Sequence, residues 1–178
     1  PERGLFLLLN AFDKIASKYP NVELEVFSSY KIYGIPQHDG GFRNLFTRMV
    51  NNPQIKYHGT VSNQEIHSAL QRAHIFAYPS TFLETSCIAL VEAMSAGCLC
   101  VHSDIAALPE TAAGYTNMYS FDKNRINHEA EFERKLEEAI LQVQSGNTSH
   151  LVAQKEYINS NYSWNTRIEE WNNYLANR

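Results

Sequence analysis

Two glutamates, Glu84 and Glu92, stand eight positions apart in the run "FLETSCIALVEAMSAG". The residues between them are small, apolar or hydroxylated, and none carries a charge. Paired carboxylates can act as acid and base, or they can accept hydrogen bonds from hydroxyl groups. A helix starting near Ser86 would put Glu84 in the loop before it and Glu92 in its second turn, about 9 Å along the axis. The free amides of the first turn, from about Ser86 to Ala89, would lie between them. Such amides and the helix dipole form an anion site. The order along this edge is then carboxylate, anion pocket, carboxylate.

A nucleotide sugar presents a matching order of sugar, diphosphate and ribose. Carboxylates suit vicinal hydroxyls and amides suit a diphosphate. A hydrolase with two carboxylates fits less well, because Glu92 lies too deep in a helix to be a general acid. A purely structural reading also stands, since glutamate is a good helix former and Glu92 could be a solvated helix position. Its neighbours "IALV" and "AM" are apolar on all sides, as in a helix packed on both faces. A carboxylate placed there needs partners.

The surrounding pattern supplies the elements that would position these groups. Apolar residues at Leu5, Leu8, Leu9, Phe12, Ile15 and Ala16 have helical spacing, and Pro20 and Asn21 stop the helix. "VELEVFS" alternates as a strand, and residues 28–41, with Gly34, Pro36, Gly40 and Gly41, read as a loop. "FRNLFTRMV" is a short helix and "QIKYHG" a strand. Ser62 and Glu65 form a capping box ahead of the helix "QEIHSALQRA". "HIFAYPS" and "CLCVHS" are strands flanking the glutamate helix, which Gly97 closes. "DIAALPET" is a loop with a short turn, and "MYSF" a small last strand. Beyond Phe121 the strands give way to three helical stretches. Alternating strands and ten-residue helices require crossovers, hence a parallel sheet with helices on both faces. The fold class is α/β, a doubly wound parallel sheet with a helical C-terminal tail. In such sheets ligands bind beyond the carboxyl ends of the strands, which is where the Glu84 loop falls.

The bulk numbers set limits. The 178 residues suffice for one domain, read here as 1–178, with an α/β core over 1–121 and C-terminal helices over 122–178. The net charge of −4 gives no electrostatic footprint for nucleic acid. Cys87, Cys98 and Cys100 are odd in number and wrongly spaced for zinc, so buried thiols in a reducing, cytoplasmic compartment are expected, with no metal and no cofactor. No apolar run reaches the roughly 18 residues that read as a membrane span. The chain opens at a helix, which suggests one piece of a longer protein. The histidines His38, His58, His67, His74 and His102 read as structural. Trp164 and Trp171, seven apart, read as anchors that dock the last helix.

"PERGL", "YPSTFLETSCIALVEAMSAG" and "DIAALPET" together resemble the donor-binding half of family 4, or group 1, retaining glycosyltransferases of the GT-B fold, which is Rossmann-like. The resemblance runs in order from Pro1 to about Phe121, and the ending "YSWNTRIEEW" is similar too. It implies that Glu84 touches hydroxyls of the transferred sugar near the reacting centre, and that Arg3 neutralises phosphate. These two are the catalytic candidates. It implies that the amides of Thr85, Ser86 and Cys87 hold the diphosphate, that Glu92 binds the ribose, that Gly4 permits close approach, and that Gly59 and Val61 lie where the base packs. Glu110 matches a further family position, with a structural role as open as a site role. The family often has Gly-Phe-Gly where Thr85, Ser86 and Cys87 stand, so a tighter sugar pocket is expected. A second basic phosphate ligand and the strand carrying it would lie upstream of Pro1, as would an N-terminal acceptor domain.

The resemblance thus implies metal-independent hexosyl transfer with retention, from a nucleotide-sugar donor to a glycan or lipid. Any peripheral membrane association would come through the absent half, and the isolated fragment would be inactive. The alternative is a non-catalytic module that holds a nucleotide or nucleotide sugar.

Overall fold

The computed structural model describes residues 3–177. Five short strands alternate with helices in the expected order. They are β1 (Leu24–Val26), β2 (Ile55–Tyr57), β3 (Ile75–Tyr78), β4 (Leu99–Ser103) and β5 (Asn117–Tyr119). The helices are α1 (Leu5–Lys18), α2 (Arg43–Asn51), α3 (Asn63–Arg72), α4 (Ile88–Ala96), α5 (Leu108–Ala112), α6 (Arg125–Gln144), α7 (Leu151–Asn161) and α8 (Trp164–Ala176).

All strand pairings are parallel, as the crossovers demand. Leu24 faces Ile55 across β1 and β2, Ile75 faces Leu99 across β3 and β4, and Val101 faces Asn117 across β4 and β5. The strands form two pieces, β1-β2 and β3-β4-β5. A cleft enters between the pieces, walled by Leu24 and Val26 on one side and Ile75 and Ala77 on the other.

Helices cover both faces. On one, Leu9, Phe12 and Ile15 of α1, Met49 of α2 and Phe132 and Leu136 of α6 pack with Val26, Ile55, Val101 and Tyr119. On the other, Leu90 and Met94 of α4, Leu108 of α5 and Ile158 of α7 pack with Cys98 and Cys100. Strand β4 is wholly buried, and its alternate residues Cys100 and Val101 feed the two clusters. That alternation is why it reads as a continuous apolar run. The three cysteines are free and buried. Burial pushes the Cys98 thiol up to about 11 and raises Cys100 well above its ordinary value, so both are poor nucleophiles.

Local chemistry explains the element ends. The Ser62–Glu65 capping box is complete: Ser62 Oγ accepts from the Glu65 amide, and Glu65 Oε2 accepts from the Ser62 amide at 2.9 Å. Gly97 takes the left-handed conformation (φ 92°) that ends α4. Buried Gln154 of α7 donates to the carbonyls of Met94 and Cys98 at 3.2 and 3.0 Å, satisfying backbone at the end of α4 and the start of β4.

Three expectations change. Residues 28–41 are not plain loop but hold two short 3-10 helices, Tyr30–Tyr33 and Pro36–Phe42. Asp39 organises them by accepting from Ser29 Oγ at 2.6 Å and from the Tyr30 amide at 2.8 Å. "DIAALPET" runs into the one-turn helix α5 rather than a bare turn. Trp164 and Trp171 do not dock α8, because they are 83% and 63% exposed and α8 buries none of its residues. The core on that side is already closed by α7, through Ile158 and Gln154.

Candidate functional site

Pro79 ends β3, and the chain passes through a loop to α4 at the carboxyl end of the sheet. Three hydrogen bonds fix that loop. The Phe82 amide donates to Ser80 Oγ at 3.2 Å, the Glu84 amide to the Phe82 carbonyl at 3.0 Å, and the Ala107 amide to the Glu84 carbonyl at 3.2 Å. The Glu84 side chain is only 8% exposed. A carboxylate so buried needs partners, and among the described residues Tyr78 and Arg3 supply them. Tyr78 Oη donates to Glu84 Oε1 at 2.7 Å, and Arg3 forms an ion pair with the same oxygen. Arg3 Nη1 also donates to Tyr78 Oη at 2.8 Å, and its guanidinium lies 4.3 Å from the centre of the Phe82 ring.

Gly4 brings Arg3 to this place. Its φ is 82°, and a Cβ there would stand 2.1 Å from the Pro79 carbonyl oxygen. The close approach that Gly4 permits is therefore to the backbone after β3. The lead-in to α1 is pressed against the Glu84 loop.

Helix α4 begins at Ile88 rather than near Ser86. Cys87 precedes it with non-helical backbone (φ −101°, ψ 90°), so Thr85, Ser86 and Cys87 belong to the loop. The Leu90 amide is already bonded to the Cys87 carbonyl at 3.1 Å. The Cys87 thiol is buried beneath the start of the helix, and desolvation raises its pKa against smaller pulls from the Leu90 amide, Tyr78, Arg3 and the Ala89 amide. With Ala89 and Leu90 so engaged, the first-turn amide at the mouth of the helix is that of Ile88, next to the loop amides of Thr85, Ser86 and Cys87.

Glu92 lies in the second turn of α4, with its Oε1 3.1 Å from His67 Nε2 on α3. The apolar neighbours of Glu92 suggested a helix packed on both faces, and α4 does contact α3, α5 and α7. Leu90, Ala93 and Met94 are buried, and Val91 and Ala96 pack partly against the same cluster. The exception is the start of the helix, where Ile88 is 69% exposed.

One cleft of about 2370 Å³ brings together Arg3, Gly4, Glu84, Ser86, Cys87 and Glu92, with Gly59 and Val61 from the loop after β2. Thr85 is exposed and stands outside the lining residues. These candidate residues lie at the carboxyl edge of the strands, and the cleft continues between β1 and β3 to polar groups at the other edge, among them Glu23, Arg72 and His74. His58 is held elsewhere, stacked on Phe27 at 4.4 Å and paired with Glu25 at 3.0 Å. His102 is buried, with Nδ1 donating to the Ser103 carbonyl and Nε2 accepting from Thr116, both at 2.8 Å. Glu110 is exposed on α5.

Sequence reasoning passed over Tyr78 and assigned His67 a structural role. The one available signal for Tyr78 was its place as the last residue of β3, immediately before Pro79. Nothing in the spacing of α3 pointed His67 at Glu92. Among the described residues, no group of three or more His, Cys, Asp and Glu side chains is placed to hold a metal ion.

The sequence model of the family "Glycosyl transferases group 1" matches residues 1–150. The chain belongs to that family. Over 107 residues, 60% of the chain, it is 32% identical to the phosphatidyl-myo-inositol mannosyltransferase of Mycobacterium tuberculosis. That match covers 26% of the mannosyltransferase, so the chain spans about a quarter of its length. The fold is shared with a glycosyltransferase from Rickettsia africae (TM-score 0.77, 16% identity, 100% of this chain and 46% of that one). Sucrose-phosphate synthase from Thermosynechococcus elongatus is similar too (TM-score 0.74, 13% identity, 99% of this chain and 43% of that one). So is the pneumococcal O-GlcNAc transferase GtfA, solved with UDP and GlcNAc (TM-score 0.72, 15% identity, 99% and 33%). This group 1 glycosyltransferase chain therefore has the Rossmann-like architecture of GT-B enzymes, with the helical C-terminal end. Among its described residues no helix is long and apolar enough to cross a membrane.

Proposed function

We propose that this chain is the donor-binding part of a retaining, metal-independent glycosyltransferase that moves a hexose from a nucleoside-diphosphate sugar to a glycan or lipid. The observation that carries the reading is the arrangement around the start of α4. Glu84 and Glu92 lie on either side of the stretch that carries the amides of Thr85, Ser86, Cys87 and Ile88, and Arg3 stands against Glu84. In this reading Glu92 takes the ribose hydroxyls, and the diphosphate sits at the amides. Glu84 takes hydroxyls of the transferred sugar. Gly59 and Val61 border the base.

The chemistry follows from charge. As the glycosidic bond breaks, negative charge grows on the leaving diphosphate. A fixed guanidinium and oriented amides at a helix N-terminus stabilise that charge without reorganising. Acceptor-binding groups would come from a further domain of the longer protein.

The test is a thermal shift of this chain against UDP, GDP, ADP and their sugar conjugates, without metal. Binding to the native state raises the midpoint with affinity. One nucleotide should stabilise the chain, and Glu92→Ala should weaken that binding by about 1 to 3 kcal/mol, the cost of losing a charge-assisted hydrogen bond. No shift with any nucleotide, or an unchanged affinity in Glu92→Ala, would remove this assignment.

A further inference from the structure

We infer that Tyr78 is a positioning residue of this site, whose hydroxyl presets the Glu84 carboxylate for the sugar of the donor. The inference rests on the donor-binding reading above and names a residue that reading does not use.

The hydroxyl of Tyr78 sits at the centre of the site. It donates to Glu84 Oε1 at 2.7 Å and accepts from Arg3 Nη1 at 2.8 Å. It therefore bridges the group assigned to the sugar and the group assigned to the phosphate. Both Tyr78 and Arg3 address the same carboxylate oxygen, Oε1, and Glu84 lines the cleft. A carboxyl group rotates freely about its last bond unless something fixes it. The Glu84 backbone is already fixed by its bonds to Phe82 and Ala107, and the hydroxyl of Tyr78 holds the far end of the side chain, which limits its torsions.

The ring is equally well placed. It stacks on Phe76 at 5.5 Å and 22°, so its direction is set by the strand and not by the ligand. Burial raises the pKa of the phenol, with Ser80 and Arg3 opposing it. The proton stays on Tyr78, and the group remains a donor to the carboxylate. A phenylalanine at this position would keep the stacking on Phe76 and lose the hydroxyl's bonds to Glu84 and Arg3, together with its contacts to Ser80 and Cys87.

The arrangement separates two affinities. Contacts to the ribose pass through Glu92 and contacts to the sugar through Glu84, and Arg3, which faces the diphosphate, keeps its own ion pair with Glu84 when the Tyr78 hydroxyl is removed. Calorimetric titration of this chain and its Tyr78→Phe variant would use UDP, GDP and ADP, each with and without its sugar. Tyr78→Phe should leave the affinity for the bare diphosphate within about twofold, and should weaken the sugar conjugate about tenfold, the scale of one hydrogen bond to a charged group. Glu84→Gln should weaken the conjugate similarly, and the double variant should add little, because the two groups act as a unit. Equal loss of both ligands, or an unchanged conjugate, would overturn the inference.

A second readout needs no ligand. The Glu84 carboxyl, followed by carbon NMR, should titrate at higher pH in Tyr78→Phe, because a hydrogen bond to its charged form is gone. An unmoved titration would refute the positioning role. A wild-type chain that binds no nucleotide while this titration moves would instead refute the donor-binding reading alone.

Discussion

Replacing Gly4 by alanine tests how tightly the lead-in to α1 is bound to the Glu84 loop. The added Cβ would stand 2.1 Å from the Pro79 carbonyl oxygen and 2.6 Å from its carbon. Backbone on both sides must move, because no flexible side chain can give way. The φ of 82° adds the left-handed cost for a residue with a Cβ, about 1 to 2 kcal/mol. Overpacking against fixed backbone adds about 1 to 3 kcal/mol. The sum is about 2 to 5 kcal/mol, a fall in Tm on the order of 10 °C for a chain of this size.

Gly34→Ala is the internal control. Its φ is 74°, and a Cβ there would meet nothing within 4 Å. It should show only the conformational cost, about 1 to 2 kcal/mol. Urea unfolding of both variants, followed by circular dichroism, yields the difference directly. A Gly4→Ala variant no less stable than Gly34→Ala would refute the reasoning. It would mean that the lead-in to α1 can leave the loop at no cost, taking Arg3 away from Tyr78 and Glu84.

Two further outcomes follow from buried polar groups. Gln154→Met removes the donors to the Met94 and Cys98 carbonyls. It should destabilise the chain by about 1 to 2 kcal/mol in urea titration, with Met94 retaining its bond from the Gly97 amide. His102 has its pKa lowered from 6.5, chiefly by burial, so below pH 6.5 the unfolded chain takes up a proton that the folded chain resists. Its contribution to stability is present above pH 6.5 and is lost as pH falls toward its folded value. Unfolding free energies measured from pH 8 to 5 should therefore fall. His102→Gln should flatten that slope, and an unchanged slope in the variant would locate the effect elsewhere.

The residues that announce themselves in the sequence are those whose roles are local. The Ser62–Glu65 box, Gly97 after α4, and the apolar spacing of α1 and α6 each depend on neighbours within a turn or two. The periodicity needs no tertiary information to be read. The same holds for the order of strands and helices, from which parallel crossovers follow. Glu84 and Glu92 were visible because one element, the start of α4, carries both.

Tertiary structure decided what those side chains meet. Tyr78 precedes Glu84 by six positions, yet their contact depends on how the loop after β3 folds back, and Arg3 arrives from 75 positions before Tyr78. His67 reaches Glu92 because α3 and α4 pack side by side, a relation that no spacing within either helix encodes. Helix α4 looked buried all round from composition, but Ile88 at its start is exposed and Glu92 faces the cleft. Trp164 and Trp171 looked like anchors, but α7 had already closed the core on that side. A sequence states which surfaces are apolar and which groups are charged. Which surface covers which group is settled by packing among elements far apart in the chain, because each contact draws on residues that share no local pattern.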